Sequence, residues 1–192
     1  MATQTAGYPL RFDVEYPEKL SRWLIFVKWL LAFPHFLILY ALSGVASVIT
    51  FIAWFAILFT KRYPRGLFDL VVNIYRWQAN VGAYTFLMRD EYPPFSWDPG
   101  KYPVTFEVDY PEQLSRWLVF LKWLLVIPNL IVLFLLFIVA YVVEAIAWFA
   151  ILFTGRFPRG LFDFLVGVVR WNYRLNAYIN LLRDDYPPFS LR

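Results

Sequence analysis

The chain is written twice. Residues 8–98 and 102–192 align at a constant offset of 94 (102 − 8) without a gap, and more than half of the aligned pairs are identical. YPEKLSRW returns as YPEQLSRW, RYPRGLFD as RFPRGLFD and RDEYPPFS as RDDYPPFS, while AWFAILFT returns unchanged. A period this long is duplication of a whole folding unit, not a solenoid repeat. The chain must therefore build two similar units, 8–98 and 102–192, joined through the short linker WDPGKY. Matched positions that differ mark places where one copy has taken a private role.

Charge is missing from long stretches of each unit. Trp29 to Phe59 contains no Asp, Glu, Lys or Arg, and its only ionisable side chains are His35 and Tyr40; the matching run, Trp123 to Phe153, holds one acid, Glu144. Uncharged runs of 18 or more residues read as membrane helices. The chain is 60% hydrophobic, against about 45–50% apolar for an average soluble domain. The fold class this implies is an all-α integral membrane protein. Residues 1–22 are polar and lack a cationic start followed by a short apolar stretch, so the first apolar run is expected to insert and stay. The absence of cysteine excludes disulfides, thiolate metal sites and cysteine nucleophiles. The net charge of +4 gathers beside the apolar runs, which points to membrane orientation rather than nucleic-acid binding.

Each unit opens on an extended polar arm, RFDVEYPE or TFEVDYPE, whose alternation reads as a short strand or an interfacial arm. Ser21 and Ser115 are placed to cap the next helix. Lys28 and Lys122 are placed to snorkel to a water–lipid boundary beside Trp23, Trp29, Trp117 and Trp123. The apolar run from Trp23 to Thr60 would be about 57 Å long as one straight helix, against a hydrocarbon core of about 30 Å. Two solutions fit: a hairpin turning near Ser43-Gly44, or an interfacial helix ending at Pro34 followed by one long crossing. An even number of crossings keeps both RYPRG and YPPFS motifs on one side with their basic residues. Hairpins are therefore expected, four crossings in all. Leu67 to Met88 and its copy follow as a two-faced helix, expected in the interface. Asp69, Asn73, Arg76 and Asn80 form its polar stripe. The paired prolines of YPPFS end the unit in what reads as a docking turn.

The order SRWL, KWLL, Pro, WFAILFTGRFPRGLFDF, VVRW, AY, LLRDDYPPFS resembles a bacterial membrane family, domain of unknown function 4389, over nearly all of both copies. The resemblance implies a small bacterial inner-membrane, multi-pass protein in tandem form and transfers no activity. Lys61 departs from it where the second copy has Gly155.

Nothing in the sequence converges as a catalytic site does. There is one histidine, no metal-ligand spacing and no phosphate loop, so no catalytic residue, cofactor or metal is expected. The repeated Arg62, Arg65, Arg76, Arg156, Arg159 and Arg170 read either as orientation and intrachain pairing, Arg65 with Asp69 among them, or as a headgroup site, since guanidinium binds phosphate bidentately. His35 and Glu144 are private to one copy each and would lie at similar depth, which permits an intramembrane pair. Ser43, Gly44 and Ser47 stand where copy two has Phe137, Ile138 and Tyr141; small residues let helices approach, so these triplets are expected to pack between the repeats. The favoured function is a non-enzymatic structural or accessory protein whose partners are lipids, itself or other membrane subunits, with no nucleic acid. A lipid-headgroup or small transport module is the alternative.

Overall fold

The structure, a computed structural model, describes residues 8–192; the first seven positions of the polar N-terminal stretch lie outside the described residues. Each unit contributes one strand and three helices. The first has β1 (Leu10–Val14), a single 3-10 turn at Leu24–Phe26, α1 (Lys28–Leu31), α2 (Phe33–Thr60) and α3 (Arg65–Thr85). The second has β2 (Val104–Val108), α4 (Leu118–Leu125), α5 (Ile127–Thr154) and α6 (Arg159–Ile179).

The expected hairpins are not formed. Residues 33–60 and 127–154 are each one continuous helix, about 42 Å long at 28 residues. Gly44 sits inside α2 with nothing near it. Ser43, Ser47 and Thr50 return their hydroxyls to the carbonyls of Leu39, Ser43 and Ala46, four residues back. These small polar residues are thus absorbed by the helix and do not turn it. Pro34 and Pro128 stand in the first turn, where a missing N–H costs nothing; they start the long helices just after breaks at Ala32 and Val126. The requirement that led to hairpins is met another way. Ala32 and Leu39 of the α1–α2 segment pack with Trp77, Val81 and Tyr84 of α3, so α3 runs back along α2 and returns the chain toward its starting end.

The amphipathic helices pack against the long helices and the strands. α3 contacts α2 and β2, and α6 contacts α5 and β1. Phe68, Val71, Val72, Ile74, Trp77 and Asn80 are buried, while of the polar stripe Asn73 and Arg76 are partly buried and Asp69 is exposed. By contrast, α2 buries only a narrow stripe, His35, Leu39, Ala46, Ile49, Ala53 and Ile57. Phe33, Leu37, Tyr40, Val48, Phe51 and Phe59 face outward. Phe33–Thr60 and Leu118–Thr154 are long and apolar enough to cross a membrane.

The two units exchange their arms. β1 pairs antiparallel with β2, and each strand packs on the other unit's amphipathic helix, β1 on α6 and β2 on α3. The Leu20 amide donates to the Gly155 carbonyl, and the Leu114 amide to that of Lys61, both at 2.8 Å. The buried faces of the ribbon pair Leu10 with Val108, Phe12 with Phe106 and Val14 with Val104.

Candidate functional site

The polar residues repeated in both units are nearly all spent on holding the units in shape. Lys28 and Lys122 do not snorkel: their side chains are 2% and 3% exposed. Each ammonium lies 2.8 Å from a carboxylate, Asp90 or Asp184, and donates at 2.6 Å to the carbonyl of Arg89 or Arg183. The same carboxylates accept the backbone amides of Ser21 and Ser115. One acid thus ties the start of the first helical turn to the end of the amphipathic helix. Burial pulls the Lys28 ammonium below its ordinary range, and the hydrogen bond and charge of Asp90 oppose that. The sequence signal for this pair was the RD step itself, repeated in both copies alongside the lysine.

Arg76 and Arg170 clamp the exchanged arms. Arg170 Nε donates to the Phe12 carbonyl at 2.7 Å and Nη1 to the Leu191 carbonyl at 3.0 Å. Arg76 repeats the pattern on Phe106 at 3.2 Å and Trp97 at 3.1 Å. One guanidinium therefore holds the partner unit's strand and its own unit's tail, which leaves it little for a headgroup. Arg65 and Arg159 lie 4.6 Å over the rings of Tyr110 and Tyr16 from the opposite unit and make the i,i+4 contacts with Asp69 and Asp163. Arg62 and Arg156 are exposed. The arm exchange brings further arginines to them: Arg116 donates to the Phe59 carbonyl, two residues from Lys61, and a side chain at Gly155 would meet Arg22.

His35 and Glu144 are not brought together. The Trp77 indole donates to His35 Nδ1 at 3.1 Å, and the imidazole stacks on Phe95 at 4.0 Å and 12°. In the other unit Asn129 takes the same place and accepts from Trp171 at 2.8 Å. His35 is the polar acceptor for a buried indole, and the YPPFS turn closes over it. Glu144 lies instead in a cleft with Lys28, Trp29, Tyr141 and Trp148.

The triplets Ser43-Gly44-Ser47 and Phe137-Ile138-Tyr141 do not pack on one another either. Gly44, Ser47, Ile138 and Tyr141 are exposed, and the Ser43 hydroxyl accepts from Gln78 of its own unit. Size complementarity between copies occurs elsewhere. Tyr173 of α6 stacks against Phe12 and Phe106 at 5.1 and 5.0 Å and lies against Gly82 of α3; its matched residue is Ala79. One tyrosine packs between the units, and Gly82 leaves room for its hydroxyl. Among the described residues, no cluster of His, Cys, Asp or Glu is built to hold a metal ion.

No curated protein and no solved structure matches this chain. The sequence profile of one family, domain of unknown function (DUF4389), matches residues 22–96 and again 116–190. Both matches begin after the exchanged arms. The two matches span most of both units, and the chain belongs to this family as a tandem pair of its domain.

Proposed function

We propose that this protein is a non-enzymatic structural or accessory protein of the bacterial cytoplasmic membrane, crossing it with α2 and α5 and packing with copies of itself or within a larger membrane complex. The observation that carries this reading is the division of the surface. The outward faces of α2 and α5 are apolar along their whole length, far beyond the patch a soluble monomer exposes. Arg76, Arg170, Lys28 and Lys122 meanwhile turn inward, onto arms, tails and partly buried carboxylates, while Arg62 and Arg156 stay exposed. A chain that uses its arginines this way is built to hold a shape and present an apolar aromatic surface to lipid and to neighbouring helices. Native mass spectrometry of the protein purified from its own membranes in mild detergent tests this. A reproducible homo-oligomeric or heteromeric mass supports the reading, and a monomer without partners contradicts it.

One observation favours a second role, anionic headgroup binding. The exchange of arms sets Arg116 beside Lys61 and Arg62, and Arg22 beside Gly155 and Arg156, so each basic patch is composite. Phe59 and Phe153, both strongly exposed, lie next to these patches, as at a lipid boundary where phosphate is met. Replacing Arg62, Arg116, Arg22 and Arg156 with Gln should then release co-purified anionic lipid without loss of the folded state.

A further inference from the structure

We propose that the cleft around Glu144 is a binding site for an alkylammonium group, held by one carboxylate and a wall of aromatic rings. This goes beyond the accessory role and does not rest on it.

The cleft has a volume of about 310 Å³ and is lined by Lys28, Trp29, Thr85, Tyr141, Glu144 and Trp148, among others. It lies between the start of the first unit's helical segment and α5 of the second unit, so neither unit alone forms it. Among the described residues Glu144 makes no side-chain hydrogen bond or ion pair. Lys28 does not supply one, because its ammonium is already taken by Asp90 and the Arg89 carbonyl. The group left without a partner in the cleft is therefore the Glu144 carboxyl. An unpaired carboxylate among apolar side chains is costly and gains most from a cation brought to it.

The walls select the kind of cation. Trp29, Tyr141 and Trp148 offer three aromatic rings around one acid, and ring faces attract an ammonium carrying carbon substituents while their apolar bodies accept its methylenes. A divalent metal ion would need several oxygen ligands, and Glu144 is the only carboxylate among the lining residues.

The internal repeat supplies a control. At an offset of 94, Tyr141, Glu144 and Ala145 correspond to Ser47, Thr50 and Phe51, and Thr85 corresponds to Ile179. The matched location thus has no acid, and larger side chains stand where Thr85 and Ala145 leave room. Its Thr50 hydroxyl is satisfied by the Ala46 carbonyl at 2.9 Å. The differences fall on neighbouring positions of one cleft, and the matched location lacks both the acid and the Tyr141 ring, with its Phe51 facing outward.

The test is calorimetric titration of the purified full chain in detergent with three probes: dihexanoylphosphatidylethanolamine, dihexanoylphosphatidylglycerol and free ethanolamine. The proposal expects saturable binding of at least one amine probe and none of the glycerol lipid at equal concentration. Binding of the lipid alone assigns the ammonium to a headgroup, and equal binding of free ethanolamine assigns it to a soluble amine. Glu144→Gln, and separately Ala145→Phe, which installs the other unit's residue at an exposed position, should each weaken binding about tenfold or more with the melting temperature unchanged. Equal binding of the glycerol lipid, unchanged affinity in Glu144→Gln, or no saturable binding of either amine probe overturns the proposal.

Discussion

Phe12 pairs with Phe106 across the two-stranded ribbon, and the two are the same position of the two copies (12 + 94 = 106). A strand that meets its own counterpart places the approximate twofold axis of the molecule between these rings. Tyr173 packs on both of them, and Tyr75 of the first copy packs on Phe106 and on Tyr173 itself, so the axis is filled asymmetrically. This is how a symmetric dimer of single units would look once its chains were joined and one half was free to change.

The arm clamp should be measurable. Arg170→Ala removes the donor of the Phe12 and Leu191 carbonyls and is expected to cost about 1.5–3 kcal/mol per lost charged hydrogen-bonding partner. Arg170→Lys should recover little, because a point ammonium cannot serve two carbonyls as a planar fork does. Denaturant unfolding in detergent checks both variants, with Arg76→Ala as the matched case.

The buried lysine pairs predict an order of damage. Asp90→Ala strands a buried ammonium and should cost about 3–5 kcal/mol. Lys28→Met combined with Asp90→Asn should cost less than Asp90→Ala alone, since no charge is left buried. Thermal melts should give the same order at Lys122 and Asp184, where the distances are the same.

His35→Asn should be close to neutral, because Asn129 already serves Trp171 in the other unit as His35 serves Trp77. His35→Leu leaves the buried indole N–H without an acceptor and should cost about 1–3 kcal/mol. A Tm difference between the two variants is the readout; equal Tm values would remove the hydrogen bond from the account.

Acid should loosen the pair of Arg89 with Glu91, beside the hydrogen bond that Arg89 Nη1 donates to the Glu15 carbonyl of the arm at 2.8 Å. Arg89 donates to Glu91 at 2.9 and 2.5 Å and holds its carboxyl below the ordinary value of 4.5, against a smaller opposing effect of burial. A carboxyl depressed in the folded state contributes stability above its unfolded pKa and loses it as pH falls through the lower folded value. Glu91→Gln should therefore be slightly less stable than the parent at pH 7, by about 0.2–1 kcal/mol for so exposed a pair, with the difference shrinking as the pH falls below the ordinary value of 4.5. Urea midpoints across pH 3–7 measure it.

Local signals carried much of this fold. The repeat, the apolar runs and the strand-like arms were legible from spacing alone. Arg65 with Asp69 sits at the first turn of α3 as the i,i+4 spacing implied. Lys61 takes a left-handed conformation, φ 59°, where Gly155 has 70°, so the turn geometry is the same in both copies despite the departure at Lys61. What stayed hidden depends on partners far along the chain. The sequence of β1 shows a strand but not that its partner lies 94 residues on. Ser43-Gly44 looks like a turn because small polar residues favour turns, yet a hydroxyl can equally bond back along a helix. His35 and Glu144 would match in depth only in hairpins; in continuous helices His35 lies in the first turn of α2 and Glu144 well inside α5, and a buried indole within its own unit takes the histidine.

The most direct test of the account uses the absence of cysteine. Single cysteines placed at Phe51 and Phe149, on the outward faces of α2 and α5, and at Glu107 on the ribbon can carry nitroxide labels in reconstituted vesicles. The account predicts high collision with oxygen and low collision with a water-soluble nickel complex at 51 and 149, and the reverse at 107. Nickel accessibility at 51 and 149 equal to that at 107 would mean that these helices face water, and the membrane reading would fall.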